Sequence, residues 1–472
     1  MNLFQLVFKQ MRQRALSTWL TTLSVLLGVA LAVGILILQR EGANLFGQKD
    51  YGFDVLVGPK GSPTQLVLNT VYHIDRSPGN IPYSIYENIV ANRQFVRSAI
   101  PYGVGDTYMN HRIVATLPKI FGASDDASTI DPERAMEYRL DQRLRIAQGK
   151  SFEANKFQAV IGADIPERTK LAIGGKFQIT HGQPQANQSP DVHGEEWEVV
   201  GVMEKTNTAL DRVIMIPLVS FWAIGEHEEA LHAQAAIREG KPIPPGSAAT
   251  PENDKAAHDD HDHAGHHHAH ESKTYNLLDD GTIELKIPKN EWSLSAVLVR
   301  SRGAFQAASI MYATNNGPFA AAVSPAGVMR EFFQVFFAPS AKVLMAVASL
   351  VIVVAAVGIL VSIYNSVSAR RREVAILRAL GATRSRVLAM NCLEAGLIGL
   401  IGGVLGVIAG HLLAGVGSMF LARTMGEGIN WLSVDRIEAL YLVAVVIIAV
   451  LAGLAPALKA YRVSVAANLV SG

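Results

Sequence analysis

One cysteine, Cys392, stands in 472 residues. A single thiol excludes an intrachain disulfide framework and any Cys-rich zinc ribbon. Charge of one sign is not in excess either: 42 Lys and Arg face 41 Asp and Glu, a formal net charge of +1. That balance argues against a broadly basic nucleic-acid binder. Charged residues make up only 18 % of the chain, against roughly 25 % in an average soluble protein. The phosphate loop G-x-x-x-x-G-K-[ST] occurs nowhere, so the chain is not expected to hydrolyse a nucleotide by itself. Residues 58–62, Gly-Pro-Lys-Gly-Ser, lack that spacing and read as a turn. No nucleophile, base and orienting group can be grouped along the chain, which makes an enzyme the weakest reading.

What the sequence has instead is apolar length. Hydrophobic residues reach 49 % and the mean hydropathy is +0.22. The apolar residues gather at the two ends, in uncharged runs at 18–38, 343–363, 395–413 and 439–458. Each run approaches or reaches the ~20 residues a helix needs to cross ~30 Å of hydrocarbon. The first follows Lys9, Arg12 and Arg14 like a secretory signal. It is longer than the roughly 7–15-residue core of a cleaved signal, and no clear small-x-small site follows it, so it reads as a retained anchor.

Basic residues set the expected orientation. Lys9, Arg12 and Arg14 precede the first run with no acid. Arg370, Arg371, Arg372, Arg378, Arg384 and Arg386, against Glu373 alone, lie between the second and third. Lys459 and Arg462 follow the fourth. Between the third and fourth, Arg423 and Arg436 are outnumbered by Glu427, Asp435 and Glu438. Both termini and the second loop are therefore expected in the cytoplasm, with roughly 300 residues outside.

The expected fold class is an α-helical membrane protein with four transmembrane helices, plus a large α+β periplasmic domain inserted between helices 1 and 2. Its parts are an amphipathic helix over 1–16, spans at 17–38, 341–364, 388–413 and 439–458, and the external domain at 39–340. A cytoplasmic loop at 365–387, an outer loop at 414–438 and a tail at 459–472 complete it. In the first segment Leu3, Phe4, Val7, Phe8 and Met11 recur at helical spacing among polar residues, as in a helix lying on the inner membrane surface. A plain continuation of the first span is the simpler alternative.

Within the external region, alternation predicts strands at 53–57, 113–117, 158–161, 176–180, 197–202, 213–216 and 295–300, with helices at 83–92 and 305–315. Residues 238–273 break this pattern. Pro242, Pro244, Pro245 and Pro251 occur among small and polar residues, and aromatics vanish. Such a segment cannot bury a core and is expected to be a disordered insertion. Inside it His258, His261, His263, His266, His267, His268 and His270 place seven imidazoles in thirteen residues. Neutral imidazole binds zinc, copper and nickel, so this tract is the expected metal site, with zinc as its ion. A solvated linker that binds metal only when metal is abundant is the competing reading.

Just before the second run, Val328, Met329, Phe332, Phe333 and Phe336 form an apolar helical stripe, and Phe337 joins the phenylalanines at the expected outer interface. On the third run Gly399, Gly402, Gly403, Gly406 and Gly410 suit close backbone approach, either to the chain's own spans or across a dimer. Glu394 and His411 lie near its two ends, within expected reach of water, so no ion path is assigned to them.

Between the second and third runs, residues 373–380 are rich in helix formers and Gly381 suits the end of a short helix. A short basic helix on the inner face is a docking knob for a cytosolic partner; the positive-inside signal alone would also account for the arginines. The run Arg371-Arg372-Glu373-Val374-Ala375-Ile376-Leu377-Arg378-Ala379-Leu380-Gly381-Ala382 resembles the cytoplasmic loop of FtsX-like ABC transporter permeases of the MacB and LolC/LolE type. The amphipathic start, the one-plus-three arrangement of spans and the terminal 456–462 segment fit the same family. So do Ala159-Val160-Ile161-Gly162, the stretches at 171–177 and 199–202, and Leu210-Asp211-Arg212 in the external region.

This resemblance implies a non-catalytic permease subunit of the inner membrane. It implies dimers, with a second identical or different permease copy and two separate cytosolic ATPase subunits that carry the ATP and magnesium. It implies that Arg371, Arg372, Glu373, Ala375, Leu377, Arg378, Ala379, Gly381 and Ala382 couple to the ATPase. The spans would pass movement to the external domain, which acts on lipoproteins, peptides or other envelope cargo, with a periplasmic or outer-membrane partner. The Pro/His insertion departs from the family pattern and leaves the cargo open. Two other classes stay in view: a scaffold that switches on cell-wall hydrolases, and a zinc-linked transport or sensing component that uses the His tract.

Overall fold

The computed structural model describes residues 3–46, 51–74, 76–182, 192–224, 274–369, 383–425 and 428–461. The chain divides into two compact units. One comprises Met1–Phe46, Phe332–Thr424 and Gly428–Gly472; the other comprises Gly47–Glu331 and Met425–Glu427.

The first unit is helical. Its long helices are Ala15–Phe46, Ala338–Ala369, Arg384–Met425 and Arg436–Tyr461. All four are long and apolar enough to cross a membrane. Apolar residues surround these helices on every side, as expected where lipid and neighbouring helices share the surface. The inward faces follow helical spacing. Val25, Val29, Val33 and Ile37 of the first span meet Ile352, Ala355, Ile359 and Ile363 of the second, Ala395, Ile398 and Ala414 of the third, and Val445 and Ala449 of the fourth. Ser17 Oγ and Ser362 Oγ share a 2.9 Å hydrogen bond between the first two spans. The amphipathic segment forms a helix, Leu3–Gln13. Its Val7 and Met11 are buried in the same core, whereas Phe8 is 65 % exposed.

A π-helical turn at Phe333–Phe337 precedes Ala338–Ala369. Phe333 and Phe337 stack at 4.9 Å between centroids, and Phe336 and Phe337 stay exposed. The extra residue of a π turn rotates the ring positions relative to an α-helix, which gathers aromatic side chains predicted for an interface.

The second unit is a large α/β domain on a ten-stranded mixed sheet. Its strands run in the order Ala321–Val323, Val55–Gly58, Ala296–Ser301, Val96–Tyr108, His111–Thr116, Ile214–Pro217, Gln158–Ile161, Trp197–Met203 and Ile146–Gly149, with Lys176–Phe177 pairing off Trp197–Met203. Two pairings are parallel, His111–Thr116 with Ile214–Pro217 and Gln158–Ile161 with Trp197–Met203; the others are antiparallel. The core lines this sheet with Ile113, Ile161, Phe177, Val199, Ile214, Val297 and the fully buried Trp197. Trp197 Nε1 donates to Ser220 Oγ at 3.0 Å, so the largest core side chain keeps its polar atom satisfied.

The predicted strands fall where the sheet has them, with ends shifted by a few residues. The thirteen-residue strand Val96–Tyr108 was not foreseen. Pro101 breaks its alternation, and Gly103 and Gly105 remove the side chains that would have marked it. Pro101 withholds one ladder donor, and its carbonyl accepts from Thr116 Oγ1 at 2.9 Å. The turn at 58–62 leads into a further unforeseen helix, Pro63–Thr70, whose Ser62 side chain accepts from Gln65 N at 3.3 Å.

Candidate functional site

The glycines of the third span form two rows. A β-carbon at Gly402 would lie 2.8 Å from Val25 Cβ, one at Gly406 2.6 Å from Val29 Cβ, and one at Gly410 2.9 Å from Val33 Cβ. These three glycines are four residues apart, as are the valines they face, so a ridge of the first span sits in a groove of bare backbone. Gly399 and Gly403 face the fourth span, where their β-carbons would meet Ala449 Cβ and Leu442 Cδ1. The expected single glycine face is thus two adjacent faces with different neighbours inside this chain.

A polar network ties three segments of the same unit. Arg40, near the C-terminal end of the first span, donates from Nη2 to Ser433 O at 2.6 Å. Its Nη1 lies 3.1 Å from Asp435 and 3.7 Å from Glu438, and its Nε donates to Glu41 at 2.9 Å. Glu438 is 3 % exposed. One of its carboxylate oxygens accepts from Asp435 N at 3.2 Å while Asp435 Oδ1 accepts from Ile437 N at 3.0 Å. This is a reciprocal capping box at the start of Arg436–Tyr461, with Asp in place of the usual Ser or Thr. The Ile437 N–H, joined by Arg40, holds the Asp435 carboxyl below its ordinary range. The second Glu438 oxygen is 2.9 Å from His411 Nε2, and His411 Nδ1 is 2.6 Å from Trp431 O.

Sequence reasoning placed His411 and Glu394 within reach of water. The structure corrects this: the His411 side chain is only 13 % exposed and Glu394 is 5 % exposed. A run of apolar neighbours says how far a residue stands from the span's end, not which neighbouring helix covers it. Arg40 and Glu438 were missed as a pair because 398 positions separate them. The Asp435-x-x-Glu438 spacing was the available signal, and it marks the helix start rather than the partner.

The predicted ATPase-coupling residues Arg371, Arg372, Glu373, Ala375, Leu377, Arg378, Ala379, Gly381 and Ala382 lie outside the described residues. So do the predicted metal ligands His258, His261, His263, His266, His267, His268 and His270. The described helices on either side of the basic loop end at Ala369 and begin at Arg384.

Two family models match this chain: the MacB-like periplasmic core domain over 18–239 and the FtsX-like permease C-terminal region over 345–465. The second match takes in the basic loop as well as three of the four long helices. An uncharacterised ABC transporter permease of Methanocaldococcus jannaschii is 42 % identical over 80 residues, 17 % of this chain and 20 % of that relative. The ABC transporter permease YtrF of Bacillus subtilis is 32 % identical over 145 residues, 28 % of this chain and 32 % of that relative. The aligned stretches thus span a fifth and about a third of these relatives' own lengths.

Proposed function

We propose, for a chain that belongs to the FtsX-like, MacB-type ABC transporter permeases, that it is the membrane subunit through which a separate cytosolic ATPase moves an external domain. The observation that carries this reading is the joint presence of both family regions, on a chain with four helices able to span a membrane and a large α/β domain. The permease does no chemistry of its own in this scheme; ATP and magnesium sit on the partner.

The charge pattern supports an inner-membrane location with both termini and the 365–387 loop in the cytoplasm. The domain over 39–340 then lies in the periplasm between the first two spans and acts on lipoprotein, peptide or other envelope cargo. The interlocked first and third spans favour transmission as rigid bodies, since a glycine groove filled by valine ridges resists sliding. A second permease copy completes the pair that two ATPase subunits require. The seven-histidine tract is assigned a metal-binding capacity, with zinc as its ion.

The test is co-purification. The double change Arg372→Glu with Glu373→Arg reverses charge in the proposed docking helix and is expected to strip the ATPase from the complex while the permease still inserts and purifies. Retention of the ATPase by this variant, or ATP hydrolysis by the permease alone, would overturn the reading.

A further inference from the structure

Asp106, His181 and His193 come together in the α/β domain, far apart in sequence and outside every motif the sequence offers. Each contributes one ligand-type atom, and all three atoms lie within 4.8 Å of one another. His181 Nδ1 is 3.6 Å from Asp106 Oδ1, and His193 Nε2 is 3.7 Å from Asp106 Oδ2. The rings of the two histidines meet edge to face, with centroids 5.7 Å apart.

The backbone builds this juxtaposition. The pairing between Val96–Tyr108 and His111–Thr116 shifts register between Val104 and Thr107, so Asp106 sits in a β-bulge. A bulge re-aims a side chain out of the regular alternation. Thr107 then exchanges both backbone hydrogen bonds with Thr180, at 3.0 and 2.8 Å, which brings His181 alongside. Thr107 Oγ1 donates to Gly182 O at 2.7 Å and fixes the same turn. The third ligand is placed by His193 N, which donates to Ile179 O at 3.0 Å. Asp106 and His193 are buried, whereas the His181 side chain is 53 % exposed and leaves an approach from solvent.

We propose that Asp106, His181 and His193 form a binding site for a divalent first-row transition metal, with Zn²⁺ its best-matched ion. Two imidazoles and one carboxylate are the donor set of three-ligand zinc sites, and they also suit other borderline first-row ions. Zinc–nitrogen and zinc–oxygen bonds of about 2.0–2.2 Å place neighbouring tetrahedral ligands about 3.3–3.5 Å apart. These 3.6 and 3.7 Å separations run to different oxygens of Asp106, and the three donor atoms lie within 4.8 Å of one another, so an ion held by one carboxylate oxygen and both imidazoles draws the side chains together by up to about 1.5 Å. Magnesium and calcium fit poorly, because both take predominantly oxygen ligands. Three protein ligands leave a position open to water or to a group brought by another molecule. This site is distinct from the seven-histidine tract, and it stands whether or not the ATPase-coupling reading does.

The site differs from a flexible tract in one measurable way. Its ligands come from three segments that only the fold assembles, so an ion bound there must stabilise the folded domain, by an amount that grows with free metal concentration. The experiment uses the full-length chain in detergent, with the seven tract histidines replaced by alanine and all metal removed by chelation. Thermal unfolding is followed across a Zn²⁺ titration, with and without His181→Ala. His181 is the chosen position because its exposure allows removal without a core defect. Zn²⁺ is expected to raise the melting temperature of the tract-deficient chain. His181→Ala should weaken that effect more than about 100-fold in metal concentration, because loss of a mere supporting contact to a ligand already costs 10–100-fold. Co²⁺ provides a second reading: intense visible bands of low-coordinate Co²⁺ should form in the first protein and be absent in the second. No stabilisation by Zn²⁺ in the tract-deficient chain, or stabilisation that His181→Ala leaves unchanged, would overturn the assignment.

Discussion

At the scale of single residues, His73 is expected to give the α/β domain a pH-dependent stability. It is buried, stacks on Tyr102 with centroids 6.4 Å apart, and adopts the left-handed region at φ 55°. Burial, helped by Arg112 and Arg212, pushes its pKa from 6.5 down to about 3. The unfolded chain therefore binds a proton at this position below pH 6.5 that the folded chain refuses until about pH 3. Stability is complete above pH 6.5 and falls as the pH drops through that window, by up to about 1.4 kcal/mol per pH unit. In His73→Gln, unfolding monitored between pH 5 and 8 should show a shallower acid slope than the parent; equal slopes would refute this role. Nothing in the sequence marked His73, because its environment is made by residues from distant segments, Tyr102, Arg112 and Arg212. The same holds for Asp106, His181 and His193. By contrast, the Asp435-x-x-Glu438 box is a local signal of a helix start, although the expected span begins only at 439, past the box; its tie to Arg40 has no local signal at all.

Among elements, the spans were the most legible, since a long uncharged run has few other uses. Strands with clean alternation, such as Gln158–Ile161 and Trp197–Met203, were also legible. Val96–Tyr108 was not, because its proline, glycines and bulge are solutions to tertiary contacts. The division of the glycines into two rows has a direct consequence for helix packing. A methyl group at Gly406 would sit 2.6 Å from Val29 Cβ and 2.9 Å from Leu26 O, closer than non-bonded atoms allow. The first and third spans must then separate, and overpacking of this kind costs about 1–3 kcal/mol. Gly358 supplies the control, since its β-carbon would meet Thr21 Cγ2 at an ordinary 3.8 Å. Denaturant unfolding in detergent should show Gly406→Ala destabilised by that amount and Gly358→Ala unchanged to within about 0.5 kcal/mol. Equal behaviour of the two variants would show that the groove is not a tight contact.

For the whole molecule, the proposed function depends on which side of the membrane the α/β domain faces, and the expected orientation rests on the charges. Three basic residues precede the first span without an acid, and six arginines face a single glutamate between the second and third. Basic residues are retained on the cytoplasmic side because their transfer is opposed during insertion, while acids contribute little to the choice. The loop between the third and fourth spans reads oppositely, and the fourth helix starts there with the Asp435–Glu438 capping box bound to Arg40 of the first span. A shared network at those two helix ends requires them to lie on the same side, as four alternating spans do in either orientation, and the charges alone carry the choice between the two. A reporter joined after residue 130 should therefore be active only if it is one that works in the periplasm, and a reporter joined after residue 380 only if it works in the cytoplasm. Cytoplasmic activity at residue 130 would place the α/β domain on the cytoplasmic side and remove the basis for the proposed coupling across the membrane. Periplasmic activity at both positions would instead break the second span as a membrane helix, while leaving the first in place.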